Sequence, residues 1–122
     1  MERDPRSFLW DARESADAIL RFTANKSEEA YLADDMLRAA VERHFEIIGE
    51  ALNRLAKTAP EIASRIPDLA RAVAFRNLLI HGYATVDDPT VWRTTQEDLP
   101  GLRAVVAGLL TELGDLPGPE SA

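Results

Sequence analysis

The sequence contains no cysteine and only two histidines among its 122 residues. The absence of cysteine excludes disulfide bonds, thiolate nucleophiles and every cysteine-ligated zinc or iron–sulfur site. No stretch approaches the roughly 18 uninterrupted apolar residues that a membrane-spanning helix needs, so we expect no membrane partner. The first residues, MERDPRSF, lack the basic and then apolar run of a secretory signal. We therefore expect a cytoplasmic protein.

Basic side chains are outnumbered by acidic ones, 14 to 21, and the formal net charge is −7. Such a balance disfavours nonspecific binding to nucleic acid or to anionic membranes. Nearly all of the basic residues are arginine, whose forked guanidinium suits bidentate contacts with phosphate. A nucleic-acid site in this chain must therefore depend on a few placed arginines and not on the overall field.

Apolar residues recur at helical spacing along the whole chain, and the alternating patterns of strands are almost absent. Asp4 followed by Pro5 predicts an N-cap and the first turn of the first helix. The longest helix carries a broad apolar face, which is typical of a helical bundle: Leu37, Ala40, Val41, His44, Ile47, Ile48, Ala51, Leu52 and Leu55. We predict one all-α domain over residues 1–113, a bundle of four to five helices, and a flexible tail over residues 114–122.

Glycine and proline residues mark predicted helix ends in the second half of the chain. Gly82 is expected to end the fourth main helix by taking the positive φ of a C-cap. The pair Asp88 and Pro89 repeats the opening of the first helix, which predicts Asp88 as an N-cap. Pro100 lies inside the last helical stretch and should split or kink it.

The two histidines have different surroundings. His44 lies on the apolar stripe of the longest helix, where a histidine hydrogen-bonded in the core or at its edge is a better explanation than a metal ligand. His81 ends the fourth main helix in the string RNLLIHGY, which begins at Arg76 and ends at Tyr83. With Asn77, these residues place a guanidinium, an amide, an imidazole and a phenol within about one and a half turns. The structural alternative is a helix end at which histidine and arginine merely favour the negative end of the dipole.

The chemistry of this group suits RNA cleavage without a metal or a cofactor. An imidazole with a pKa near neutrality can remove the proton of a ribose 2′-hydroxyl, and a fixed arginine can neutralise charge on the phosphate. The leaving 5′-oxygen also needs a general acid, and one chain offers only His81 for both roles. A two-fold axis would duplicate this histidine, so the chemistry predicts a homodimer.

Other polar constellations are weaker. Asp87 and Asp88 resemble a carboxylate pair for a metal, but a helix cap explains Asp88. Glu50 and Arg54 are four residues apart and are predicted to pair across one helical turn. Glu46 lies one turn before Glu50, and a role for these two carboxylates in orienting site residues stays open.

The string from Arg76 to Tyr83 resembles the R-x4-H-x-Y motif of the HepT-like branch of the HEPN superfamily. Residues 45–55, FEIIGEALNRL, are similar to the recurrent IIGEA segment of that branch. Residues 76–102 are similar to its RN-x3-HGY, VW and EDLP segments, taken in order. The similarity covers approximately residues 30–113, so the fold that it implies is a HEPN-type bundle.

The resemblance also implies a function, namely the toxin of a type VII-like bacterial toxin–antitoxin pair. Members of this branch are metal-independent ribonucleases that dimerise with their motifs facing a shared cleft. Carried over, Arg76 would stabilise the phosphate, His81 would be the acid and base, and Asn77 would position the substrate or His81. The implied partner is an MntA-like minimal nucleotidyltransferase, an antitoxin that adenylylates Tyr83. The added AMP would bring bulk and negative charge into the cleft and repel RNA.

Two other classes of function remain open. The chain could be a non-catalytic helical module that binds a nucleotide or docks a nucleotidyltransferase. It could also be a structural dimer with a polar patch. Loss of RNA cleavage on His81→Ala, with an intact dimer, is expected only of the enzyme.

Overall fold

The computed structural model describes residues 3–82 and 86–114. Over these residues the chain is all-α, as predicted, and contains no strand. The helices are α1 (Pro5–Thr23), α2 (Glu28–Ala33), α3 (Asp35–Thr58), α4 (Pro60–Ala63), α5 (Leu69–His81), α6 (Asp88–Glu97) and α7 (Leu99–Leu113). Only α2 and α4 are shorter than ten residues, so the main bundle has five helices. The tail predicted over residues 114–122 lies outside the described residues, apart from Gly114.

Side-chain caps fix the starts of the first helices. The Asp4 carboxylate accepts a hydrogen bond from the backbone N–H of Arg6 at 2.9 Å, and Pro5 occupies the first helical position. Asp34 caps α3 by accepting from the backbone N–H of Leu37 at 3.0 Å. Each cap satisfies a donor that the helix itself leaves without a partner. These local contacts confirm the predicted start of the first helix.

The start of α6 differs from the prediction by one residue. Asp87, and not Asp88, is the N-cap, because its carboxylate accepts from the backbone N–H of Thr90 at 3.1 Å. Asp88 is the first helical residue, and its carboxylate lies 3.4 Å from Nε of Arg38 on α3. Proline lacks the N–H that early helical positions do not need, so Pro89 is tolerated in this first turn. The one-residue shift thus brings an acidic side chain to the positive end of the helix.

The break between α6 and α7 confirms the effect expected of Pro100. The two helices meet at Asp98, which ends one and caps the other, and Pro100 is the second residue of α7. Proline cannot donate a hydrogen bond to the preceding turn, so the chain turns at this point instead of continuing one helix.

Helix α3 is the centre of the bundle. It packs against α1 on one side and against α5 on another, and α1 also packs against α7. The buried core lies mainly among α1, α3 and α7, and its fully buried aliphatic side chains include Leu9, Ile19, Val41, Ile48, Leu52, Leu55, Val106 and Leu110. Helix α5 is the exception, since Leu79 is its only buried residue. The bundle therefore holds α5 at its surface.

His44 lies at the contact between α1 and α3, as the core-edge explanation predicts. Its Nδ1 is 3.0 Å from the hydroxyl oxygen of Ser15, and its ring packs against that of Phe22 with centroids 5.6 Å apart. Burial lowers the pKa of His44, and the charges of Arg21 and Arg43 lower it further. Both effects favour the neutral imidazole over the charged one.

Candidate active site on helix α5

Helix α5 carries three of the four site residues that the sequence singled out, Arg76, Asn77 and His81. Of its 13 residues, all but Arg71, Arg76, Asn77 and His81 are apolar. Asn77 and His81 are exposed and are one helical turn apart, so they lie on the same outer face. The side chain of Arg76 is only 25% exposed, because its stem runs between α5 and α3. The helix therefore brings the amide and the imidazole to solvent, and the guanidinium of Arg76 is hydrogen-bonded to the amide.

The guanidinium of Arg76 is held by two hydrogen bonds. Its Nη1 donates to Oδ1 of Asn77 at 2.8 Å, and its Nη2 donates to Oε2 of Glu50 at 2.9 Å. Its Nε is buried and has no hydrogen-bond partner among the described residues. Two bonds from two nitrogens to different acceptors fix both the position and the plane of the group.

Gly49 on α3 makes room for the stem of Arg76. A Cβ atom at position 49 would lie 2.2 Å from Cβ of Arg76 and 2.9 Å from the carbonyl oxygen of Ala72. Neither atom is the end of a flexible side chain, so only glycine allows α5 to approach α3 this closely. The close approach places the Arg76 side chain next to Glu50, the residue that follows Gly49.

Glu50 links two arginines. Its Oε2 accepts from Arg76, and its Oε1 accepts from Nε of Arg54 at 2.9 Å, the pair that the sequence predicts. The hydrogen bond from Arg54 lowers the pKa of the Glu50 carboxyl below its usual value. The charges of Arg76 and Lys57 lower that pKa further. The carboxylate therefore stays ionised among three cationic groups.

The contact between Glu50 and Arg76 joins residues that are 26 positions apart. The sequence left open a role for Glu46 and Glu50 in orienting site residues, and among the described residues only Glu50 is hydrogen-bonded to one. Glu46 instead lies 3.3 Å from Nη1 of Arg43, on its own helix. Charge and helical spacing do not distinguish the two carboxylates, although only Glu50 lies in the IIGEA segment. The difference in their contacts depends on how α5 packs against α3.

His81 is the last residue of α5, and the helix ends at Gly82. The predicted positive φ of Gly82 is wrong, since its φ is −116°. Its N–H donates to the carbonyl oxygen of Leu78 at 2.8 Å, so the regular helical bond pattern continues into the cap without a left-handed residue. Tyr83, the predicted modification site, lies outside the described residues.

An apolar groove of about 390 Å³ runs beside this site. Its walls come from α3, α5, α6 and α7, and include Phe45, Phe75, Leu78, Thr94, Leu99 and Leu102. The rings of Phe45 and Phe75 meet edge to face with centroids 5.1 Å apart. Leu78 is 41% exposed at the edge of the groove and directly follows Asn77 in the sequence. The site is thus bordered by apolar surface.

The described residues offer neither a metal site nor a membrane-spanning helix. No group of three or more histidines and carboxylates is arranged there to hold a metal ion. Asp87 and Asp88, which resemble a carboxylate pair, are a helix cap and a partner of Arg38 respectively. None of the helices over the same residues is long and apolar enough to span a membrane.

The fold and the site define a class, namely small all-α proteins that present an arginine, an asparagine and a histidine on one surface helix. Residues 12–109 match the model of the family described as Ribonuclease HepT-like. The chain therefore belongs to the HepT-like ribonuclease family, as its R-x4-H-x-Y string indicates.

Several relatives match this chain over most of their own length. The chain is 35% identical over 102 residues to a protein of Methanocaldococcus jannaschii named "Putative RNase MJ1216", covering 84% of each chain. It is 35% identical over 105 residues to a protein of Thermococcus cleftensis named "Probable ribonuclease HepT", covering 84% of this chain and 93% of that protein. A second protein of Methanocaldococcus jannaschii, "Putative RNase MJ1380", is 34% identical over 86% of this chain and 95% of its own length. No solved structure matches the chain significantly.

Proposed function

We propose that this chain is a metal-independent endoribonuclease, the toxin of a type VII-like bacterial toxin–antitoxin pair. The observation that carries the proposal is the group of Arg76, Asn77 and His81, in which the guanidinium is fixed beside an exposed amide on the helix that ends in the imidazole. Membership of the HepT-like family and the names of the relatives support it. Cellular RNA is the substrate, and the cytoplasm is the place of action.

Each site residue has a role in the proposed cleavage. His81 removes the proton of a ribose 2′-hydroxyl, and the 2′-oxygen attacks the adjacent phosphorus. Arg76 neutralises the charge that develops on the phosphate oxygens, and Asn77 positions the substrate. A second imidazole donates a proton to the departing 5′-oxygen. The products are a 2′,3′-cyclic phosphate and a 5′-hydroxyl. Neither a metal nor a cofactor takes part in these steps.

The second imidazole comes from a second copy of the chain in this proposal. Helix α5 is mostly apolar, yet only Leu79 is buried, and Leu78 is 41% exposed beside the apolar groove. Exposed apolar surface of this kind is typical of an interface between proteins. A homodimer that covers this surface about a two-fold axis would place two copies of His81 at one cleft.

Tyr83 is the proposed point of control. It follows His81, the last residue of α5, by two residues in the sequence. An MntA-like nucleotidyltransferase antitoxin would transfer AMP from a nucleoside triphosphate to the phenol oxygen, with release of pyrophosphate. The bound AMP would add negative charge at the cleft and repel the phosphates of RNA.

RNA cleavage by the purified protein tests the proposal, with wild type compared to His81→Ala in the presence of a chelator. Cleavage by wild type alone is expected, with unchanged Tm and dimer content in the variant. Intact mass must be measured in parallel, because an AMP-sized increment at Tyr83 would identify a silenced enzyme. Unmodified wild type that binds RNA without cleaving it would refute the proposal and favour a non-catalytic nucleotide-binding or nucleotidyltransferase-docking module.

A further inference from the structure

We propose that Glu50 is a positioning residue for Arg76, an inference that rests on the proposed function because it concerns the guanidinium assigned to the phosphate. Glu50 binds Nη2 of Arg76 at 2.9 Å, while Asn77 binds Nη1. These two acceptors lie on different helices and together fix the plane of the guanidinium. Glu50 acts through Arg76 and does not touch the substrate.

The side chain of Glu50 is itself held in place. Its second carboxylate oxygen accepts from Nε of Arg54 one turn along α3, so both oxygens are occupied by guanidinium groups. A carboxylate that is bound on both oxygens loses its freedom to rotate. Arg54 therefore supports the position of Arg76 indirectly, because both arginines donate charge-assisted hydrogen bonds to Glu50.

The same arrangement preserves positive charge at the site. A lone carboxylate beside Arg76 would cancel the charge that a phosphate needs. Here three cations, Arg54, Lys57 and Arg76, surround the single carboxylate of Glu50. The group stays net positive although the whole chain carries a net charge of −7. A carboxylate can thus aim the guanidinium without removing its attraction for an anion.

The position of Asn77 follows from the position of Arg76. Its Oδ1 accepts from Arg76, which leaves its two amide N–H groups for other acceptors. Asn77 and His81 share the outer face of α5. Fixing the guanidinium therefore also fixes the orientation of the Asn77 amide. Its oxygen faces Arg76, and its NH₂ group is left for other acceptors.

A double-mutant cycle tests whether Glu50 acts through Arg76. We expect Glu50→Ala to lower kcat for a single-stranded RNA by about 10- to 100-fold, the size of effect that a misplaced catalytic group produces. The Tm should stay unchanged, because an ion pair that is 40% exposed on the Glu50 side contributes little stability. In the Arg76→Ala background, the same change should have no further effect on kcat. Glu50→Gln keeps an acceptor oxygen and should retain part of the activity.

Glu46→Ala is the matched control. Glu46 lies one turn earlier on α3 and pairs with Arg43, away from Arg76. Its replacement should leave kcat unchanged. Full activity of Glu50→Ala would overturn the inference, and so would an equal loss of kcat in the presence and absence of Arg76.

A second readout does not depend on cleavage. Nη2 of Arg76 donates to Glu50, so its ¹⁵N–¹H signals, assigned with Arg76→Lys, should be resolved in wild type and averaged by rotation of the group in Glu50→Ala. An unchanged signal in Glu50→Ala would refute the positioning role. Wild type that is free of AMP and cleaves no RNA would refute the proposed function instead, and the signal would still decide whether Glu50 holds Arg76.

Discussion

Replacing Gly49 by alanine adds one methyl group at the contact between α3 and α5. The new Cβ would lie 2.2 Å from Cβ and 2.8 Å from Cγ of Arg76. It would also lie 2.9 Å from the carbonyl oxygen of Ala72. The nearest atoms belong to the stem and the backbone of α5, which cannot move without shifting the helix. We expect α5 to be pushed away from α3 and Arg76 to lose its contact with Glu50.

The magnitude follows from two opposing effects. Alanine is better than glycine in a helix interior by about 1 kcal/mol. Overpacking a tight contact costs about 1 to 3 kcal/mol. The net expectation for Gly49→Ala is therefore a loss of up to about 2 kcal/mol in the free energy of unfolding. For a chain of this length, a loss of that size lowers Tm by roughly 5 to 10 °C.

Thermal unfolding followed by circular dichroism measures this loss, at one protein concentration for all variants. Gly108→Ala on α7 is the matched control, because a Cβ at that position meets nothing within 4 Å. That variant should be more stable than wild type by up to about 1 kcal/mol, the full difference in helix propensity. A Gly49→Ala variant that gains stability as Gly108→Ala does would refute the steric argument for the α3–α5 contact.

Three further predictions concern the interface, pH and a buried hydroxyl. Leu78→Arg should convert the proposed dimer into a monomer with unchanged helix content, and a dimer in light scattering would contradict this. The depressed pKa of His44 means that its contribution to stability is present above the unfolded value near 6.5 and is lost as pH falls through the folded value. The free energy of unfolding should therefore fall as pH is lowered from above to below the unfolded value, and His44→Gln, studied by denaturant unfolding, should flatten that fall. Tyr31→Phe should have a free energy of unfolding equal to that of wild type or higher by up to about 1 kcal/mol. The reason is that the buried hydroxyl has no hydrogen-bond partner among the described residues. A clear loss of stability would reveal such a partner.

The sequence was sufficient wherever the deciding contact is local. Asp4 caps a helix through an N–H only two residues away, and Pro100 acts on the turn that contains it. The helical spacing of Asn77 and His81 likewise follows from the chain alone. Where two caps compete at adjacent positions, as at Asp87 and Asp88, local rules predicted the wrong one, because Asp87 is the N-cap.

The support of the site could not be predicted in the same way. Gly49 lies in the IIGEA segment, but its role becomes clear only where Arg76 packs against it. Glu50 was correctly paired with Arg54, four residues away, but its bond to Arg76 spans two helices. The packing of α5 on α3 decides such contacts, and one sequence does not encode the relative position of two helices in any local pattern.

The peripheral attachment of α5 has a consequence for local unfolding. Of the described helices, only α3 packs extensively against α5, whereas α1 packs against both α3 and α7. A helix with few buried contacts opens at a lower free-energy cost than the rest of the bundle, so its backbone amides exchange with solvent sooner. Any partner that covers the outer face of α5 adds its binding free energy to that local cost. When a partner binds, hydrogen exchange should therefore slow more at the amides of α5 than at those of α1. The exchange rate of α5 then shows whether its outer face is covered.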